Sequence, residues 1–310
     1  IDERRIALGT AVPGDKIGNF HSGLTALANQ STRFYENGSE YWFDTTANIT
    51  SVVRDRAEAL STEDVHREIA DRLRAHADAW NRRNNASVKV INSPASTGDI
   101  LDSEDLRLII IPPSDPVDSN GSLGAAGEWA RSATNNVGLK PRTYRNTVVF
   151  LAADARRIEA LGDGVRKYLA WSSVLDDADT LDLTVSTINQ AKAQAEKQNH
   201  TVDDRLADSY QWVIEPGVST DSTEGFVSLT QEKITGGSDT IQRAVDKLQQ
   251  SEAFVNQLAP ARIAMELTNH TNGTWAAQGH YSLGDLWGMY PRYLYMQRVL
   301  NRRVIEEGIR

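Results

Sequence analysis

Hydrophobic positions along the chain follow two rhythms, and the clearest change between them falls from Arg142 to Trp171. Thr147 to Ala152 form an unbroken apolar run with β-branched residues, the pattern of a strand buried on both faces. Asp154 then occupies the place of a helix N-cap, its carboxylate open to the first backbone N–H groups. Beyond it Ile158, Leu161, Val165, Tyr168 and Leu169 recur at three- and four-residue spacing, which predicts an amphipathic helix. A buried strand feeding such a helix is half of a βαβ unit.

The same reading extends both ways. Residues 1–19, with Pro13, three glycines and mixed charges, read as a connecting arm. Phe20, Leu24, Leu27 and Ala28 predict a short helix ending near Asn29. Two alternating aromatic runs around Asn37-Gly38 then predict a β-hairpin, with Tyr35, Tyr41 and Phe43 as its apolar positions. A helix followed by a hairpin is winged-helix-like, and the only wing cation is Arg33. Thr46 to Asn84 carry two helical stripes, one through Ile49, Val52, Val53, Ala57 and Leu60, the next through Val65, Ile69, Leu73 and Trp80. Ser61 to Asp64 start the second of these helices.

Short strands are predicted at Val88 to Ile91 and Leu108 to Ile111, the latter stopped by Pro112-Pro113. A polar loop over 114–124 and a helix over Ala125 to Thr134 complete a β–β–α–β–α series. Strands alternating with helices imply a small, mostly parallel sheet covered by helices. Ser172 to Gln211 read as a long polar helical stretch, and Tyr210 to Ile214 as a buried return segment closed by Pro216-Gly217. A Ser/Thr/Asp-rich linker over 218–224 precedes a strand at Phe226 to Leu229. Ser238 or Asp239 caps a helix through Gln250. Further helices are predicted at 251–258, at Ala261 to Leu267 and over the closing segment with Tyr290, Tyr293, Leu294 and Val299. The fold class expected is mixed α/β and helix-rich, with domains at 1–50, 51–217 and 218–310.

Composition adds limits. A chain of 310 residues with 40% hydrophobic content suits a soluble protein of two or three domains. It has no apolar leader or membrane-length run and no cysteine, which points to a cytoplasmic setting without disulfides or membrane partners. Starting without Met, it reads as a piece excised from something longer. Net charge is −9, with 25 Arg against 8 Lys, which argues against a chain that coats nucleic acid along its whole surface.

The search for chemistry returns little. No G-x-x-x-x-G-K-[ST] phosphate loop occurs, so the strand ending in Asp154, which resembles a magnesium-holding Walker B strand, has no phosphate cradle beside it. There is no nucleophile elbow and no H-E-x-x-H, although His270 and His280 flank Trp275 in one loop-rich region. Asp176, Asp177, Asp179 and Asp182 cluster, but lack the Gly and distal Glu of a calcium loop, which predicts an exposed acidic cap or turn. The informative charges are basic. Arg142 and Arg145 precede the buried strand, while Arg156 and Arg157 follow it at the opposite end of the sheet. With Arg33 they are the candidate contacts to DNA or a partner's carboxylates, in competition with pairing to the acidic segment 176–182.

The run RTYRNTVVFLAAD, continued by ARRIEAL, VRKYLAW and the later DSYQW, resembles the C-terminal region of domain-of-unknown-function family 499. IALGTAVPGDKIGNFHSGLTALANQSTRFYENGSEYWFDTTANITSVVRDRAEAL, LAPARIAMEL and GHYSLGDLWGMYPRYLYMQRV extend the similarity over nearly the whole chain. Members are large prokaryotic AAA+-type ATPases, often encoded in anti-phage defence islands beside methylases and helicases. The resemblance implies that the Walker motifs, ATP and magnesium belong upstream, and that this chain is a non-catalytic region coupling ATP-driven change to DNA or a partner protein. Homo-oligomerisation is compatible with it. The alternatives are a metal-dependent nuclease or hydrolase using the carboxylates at Asp176–Asp182 or Asp154, and a purely structural assembly module.

Overall fold

The computed structural model describes the chain except residues 13–15, 17, 32–33, 38, 44–48, 84–87, 219–226, 236–238, 271–279 and 310, and its side chains except also 18, 29–30, 35–37 and 270. It is a helix-rich mixed α/β protein with a five-stranded sheet flanked by helices, as the alternating pattern predicts. Two compact units comprise residues 1–65 with 162–203, and 66–161 with 204–310. Both are discontinuous, so the three consecutive blocks expected from composition do not describe them. Among the described residues no helix is long and apolar enough to cross a membrane.

In the first unit, α1 (Glu3–Thr10) and α2 (Gly18–Gln30) lead to the antiparallel hairpin of β1 (Phe34–Asn37) and β2 (Glu40–Phe43). A helix thus stands where a connecting arm was expected. So short a helix is marginal alone. Asp2 caps it by accepting from Arg4 N at 3.0 Å, and a backbone ladder anchors it, with Glu3 N donating to Ser39 O and Tyr41 N to Ile1 O. The helix-then-hairpin order is present. Phe34 and Tyr41 stack at 5.6 Å and are buried with Ala28, whereas Phe43 is exposed. Gly38 of the turn and Arg33 lie outside the described residues, as does the side chain of Tyr35.

The rest of this unit is helical. Ile49 and Val53 of α3 (Ile49–Ala59) pack against Ala170, Trp171 and Val174 of α6 (Ala155–Asp176) and Ala191 and Ala195 of α7 (Val185–Ser209). Ser61 starts α4 (Thr62–Arg83) by a reciprocal cap: its Oγ accepts from Asp64 N at 3.1 Å, and the Asp64 carboxylate accepts from Ser61 N at 3.3 Å.

In the second unit the sheet order is β3 (Lys89–Asn92), β4 (Arg107–Ile110), β7 (Val148–Ala153), β8 (Tyr210–Val218) and β9 (Val227–Lys233). The first three strands are parallel; β8 and β9 join antiparallel. The crossover from β4 to β7 runs through α5 (Gly124–Asn135) and a small hairpin of β5 (Asn136–Val137) and β6 (Lys140–Pro141). Every residue of β7 is buried, as its unbroken apolar run requires. Ile109, Val148, Phe150, Ala152 and Ile214 face Ala126, Ala130 and Ala133 of α5, whose small side chains admit the helix close to the sheet.

After β9, Asp239 caps α8 (Thr240–Gln250), accepting from Gln242 N at 3.1 Å. Then α9 (Pro260–His270), α10 (Leu283–Met289) and α11 (Arg302–Ile309) close a second core around Leu286, Trp287, Tyr290 and Ile305. The helices expected over 251–258 and through the closing segment are not formed as such. Val255 instead exchanges backbone bonds with Arg298 and Leu300, and residues 290–301 are irregular. Pro291 interrupts the helix, and Asn146 Nδ2 takes the carbonyls of Tyr290 at 2.9 Å and Met296 at 3.0 Å.

Candidate functional site

The carboxyl end of a parallel strand is where an α/β sheet usually receives a ligand. There Asp154 is already occupied. Its Oδ1 accepts from Arg156 N at 3.1 Å and Arg157 N at 3.4 Å, capping α6, and its Oδ2 accepts from Trp212 Nε1 at 3.3 Å. The loop after β4 is stitched over the same end, with Val117 N donating to Ala153 O and Ala155 N to Val117 O. The capping expectation is met, and the geometry gives this carboxylate structural partners on both oxygens.

At the other end of the strands the arginines turn inward. Arg142 is 3% exposed. Its Nε donates to Ala133 O at 2.8 Å, while Nη1 and Nη2 reach Leu101 O and Ile100 O at 3.1 Å. Arg107, equally buried, donates to Leu101 O, to Ser103 O at 2.8 Å, to Asp105 O at 3.1 Å and to Thr147 Oγ1 at 2.8 Å. Burial pushes Arg107 down to about 10, with Arg142 acting in the same direction and Asp105 and Asp102 opposing. Burial lowers Arg142 as well, against the pull of Asp102. Two guanidinium groups thus hold the loop 100–105 by its carbonyls.

Arg142 is therefore not a contact for DNA or a partner; its donors are consumed inside the fold. Half-buried Arg145 donates to Asn135 Oδ1 at 2.6 Å. At the opposite end Arg157 lies 3.6 Å from Asp208, and Arg156 is exposed. The acidic segment at Asp176–Asp182 has a partner within its own unit. Those aspartates form the turn between α6 and α7, where Asp177 meets Arg56 at 2.7 Å and Asp182 takes a left-handed φ of 49°. Of the two histidines near Trp275, His280 is exposed and the side chain of His270 is not described. Among the described residues no three His, Asp or Glu side chains gather as metal ligands.

Two residues of structural weight escaped the sequence reading. Arg107 opens a buried strand, and that position was its only signal. Arg298, 3% exposed, donates to Asn146 O, Ala253 O, Pro216 O and Glu215 Oε1 at 2.7–3.1 Å. Burial lowers its pKa and Glu215 opposes.

Three further cations border a cleft of about 700 Å³ in the first unit, between α3 and α6. Its floor is Val53, Ala57 and Trp171; its rim holds Arg54, Arg166 and Lys167 together with Glu58 and Asp163. Arg166 is anchored on Leu60 O, Arg54 rests on Asp55 at 3.0 Å, and Lys167 and Glu58 are exposed. Helical spacing explains the site: Val53 and Ala57 on α3 stand four residues apart, and on α6 Arg166 and Lys167 follow Asp163 by three and four residues.

No family model, curated protein or solved structure matches this chain. The cleft must be judged on its own chemistry. An apolar floor suits a polypeptide surface, and a rim of both signs suits partners carrying both. A phosphate backbone would meet two carboxylates among the three cations.

Proposed function

We propose that this chain is a non-catalytic docking module of a larger, defence-associated AAA+-type ATPase, working in the cytoplasm and passing nucleotide-driven movement to a partner protein. The observation that carries the docking role is the α3–α6 cleft, an apolar floor ringed by Arg54, Arg166, Lys167, Glu58 and Asp163. The ATPase context rests on the resemblance of the strand and helix from Arg142 to Trp171, and of the segments around it, to family 499. ATP and magnesium would then bind upstream. The partners engaged by Asp154 support a non-catalytic reading of that residue.

The test uses the full-length protein. Arg54→Glu together with Lys167→Glu is expected to abolish defence against phage while ATP hydrolysis stays unchanged. Loss of both activities, or of neither, overturns the docking role. The isolated chain should release no phosphate from ATP above the buffer rate, and turnover would overturn the non-catalytic reading. DNA binding is the second reading, favoured by the exposed Arg156 and neighbouring Arg157. A gel shift lost in Arg156→Glu with Arg157→Glu would support it.

A further inference from the structure

The two edges of the five-stranded sheet are finished differently. At β3, α4 supplies the partners that an edge strand lacks. Trp80 Nε1 donates to Val88 O, Asn81 Nδ2 donates to Val90 O, and Asn81 Oδ1 accepts from Val90 N, each at 2.9 Å. This edge is sealed.

Among the described residues no strand pairs with the opposite edge. Pro216 of β8 stands opposite Leu229, and Ile234 N donates to Gln211 O at 2.8 Å. Alternation in an antiparallel ladder then turns the backbone of Ser228, Thr230 and Glu232 toward β8, and that of Val227, Leu229, Gln231 and Lys233 outward. Pro216, which lacks an N–H, fits its non-bonded position. Among the described residues no hydrogen bond reaches the outward N–H and C=O groups. Seven residues of edge strand without a proline form a template for one more strand.

The chemistry beside the template selects what pairs with it. At the Lys233 end of β9 lies a pocket of about 330 Å³ in which Lys233, Arg243 and Lys247 face a single carboxylate, Asp246. Lys247 is held by Glu232 at 2.5 Å. Arg243 donates from Nη2 to Ala207 O, but its buried Nε has no partner among the described residues. Lys233 lies 5.3 Å from the centre of the Trp212 ring.

We propose that β9 receives an extended, acidic peptide from a partner protein as a sixth strand, with a carboxylate of that peptide in the basic pocket. A second copy of the chain is the poorer occupant. In a two-fold pairing centred on Thr230, Lys233 would face Val227 of the copy, and Glu232, the one acid on the strand, already belongs to Lys247. The site does not depend on the ATPase reading, since peptide addition needs no nucleotide.

The probe is a fluorescein-labelled nonapeptide of alternating valine and glutamate, titrated into the chain by anisotropy. Saturable binding is expected. N-methylation of alternate residues, which removes the N–H groups facing β9, should weaken it at least about tenfold, as should lysine in place of glutamate. Lys233→Glu should do the same at unchanged thermal stability. So should Leu229→Pro, which removes an N–H that β8 does not use. The proposal is overturned by absence of binding at millimolar peptide, or by equal binding of the N-methylated probe. It is overturned equally by a dimer in light scattering whose β9 amides are protected from exchange.

Discussion

At the scale of single residues, the basic side chains of this acidic protein do two jobs, and burial separates them. Arg142 and Arg298 spend their donors on carbonyls of loops distant in sequence, and Arg107 on carbonyls of the loop just before it and on Thr147 Oγ1. Leu101 O is shared by Arg107 and Arg142, but a buried carbonyl held by one guanidinium is left unsatisfied when that group is removed. Arg298→Met is expected to cost about 3 kcal/mol in urea unfolding, because three carbonyls and Glu215 lose their partner together. Asp102 gives a pH signature. Burial raises its carboxyl, but the N–H groups of Thr143 and Tyr144, the Thr143 side chain and Arg142 outweigh that, and it titrates below the ordinary aspartate range. A depressed carboxyl stabilises the fold fully above its unfolded value of about 3.9, and that contribution disappears as pH falls through the lower folded value. Asp102→Asn should therefore be less stable than the parent at pH 6, with the gap closing below about pH 4 in parallel melts. Gly308 answers to space alone: a Cβ there would stand 2.4 Å from Leu258 O. Gly308→Ala should cost about 1–3 kcal/mol.

At the scale of elements, legibility in the sequence follows how local the cause is. The strand and helix around Asp154 were readable because apolar run, cap and stripe are all written within thirty residues. The capping box at Ser61 was readable for the same reason. The first helix was not, since its anchor is a backbone ladder to Ser39 and Tyr41. The irregular stretch after Tyr290 looks helical in spacing, but Pro291 interrupts it and Asn146, far away in the chain, takes its carbonyls. Charge was visible for Arg142 but burial was not, because the acceptors come from loops that the chain pattern does not bring together. The cleft was half visible: Arg166 and Lys167 lie on a helix that the apolar stripe predicts, whereas α3 as their opposite wall was not foreseen. Capping can be tested against metal holding at Asp154. Asp154→Ala should lose about 1–2 kcal/mol while Asp154→Asn, itself a good N-cap, keeps most of that. A residue whose task is to hold a cation would not be rescued by the amide.

At the scale of the whole molecule, the second unit cannot be cut where composition suggests. A boundary after residue 217 looks natural, with a Ser/Thr/Asp-rich linker following it and helices beyond. The hydrogen bonds say otherwise. β9 lies past that boundary yet pairs with β8 along seven registered positions, from Trp212–Lys233 to Val218–Val227. Arg298 lies farther still and grips Asn146, Glu215 and Pro216, while Trp287 Nε1 donates to Glu104 at 2.6 Å. Residues 218–310 alone would keep the small core of Tyr290 and Ile305 but lose every one of these bonds, and would leave Arg298 with Ala253 O as the one acceptor of the four described. They are expected to give no cooperative unfolding transition by circular dichroism. Residues 1–217 alone should bind a hydrophobic dye and aggregate, since β8 becomes a new edge whose Trp212 to Gly217 lose their partner strand. Mixing the two fragments should restore a single cooperative transition for this unit. Two separate, sharp melts in the fragments would show that the C-terminal helices form an independent domain after all.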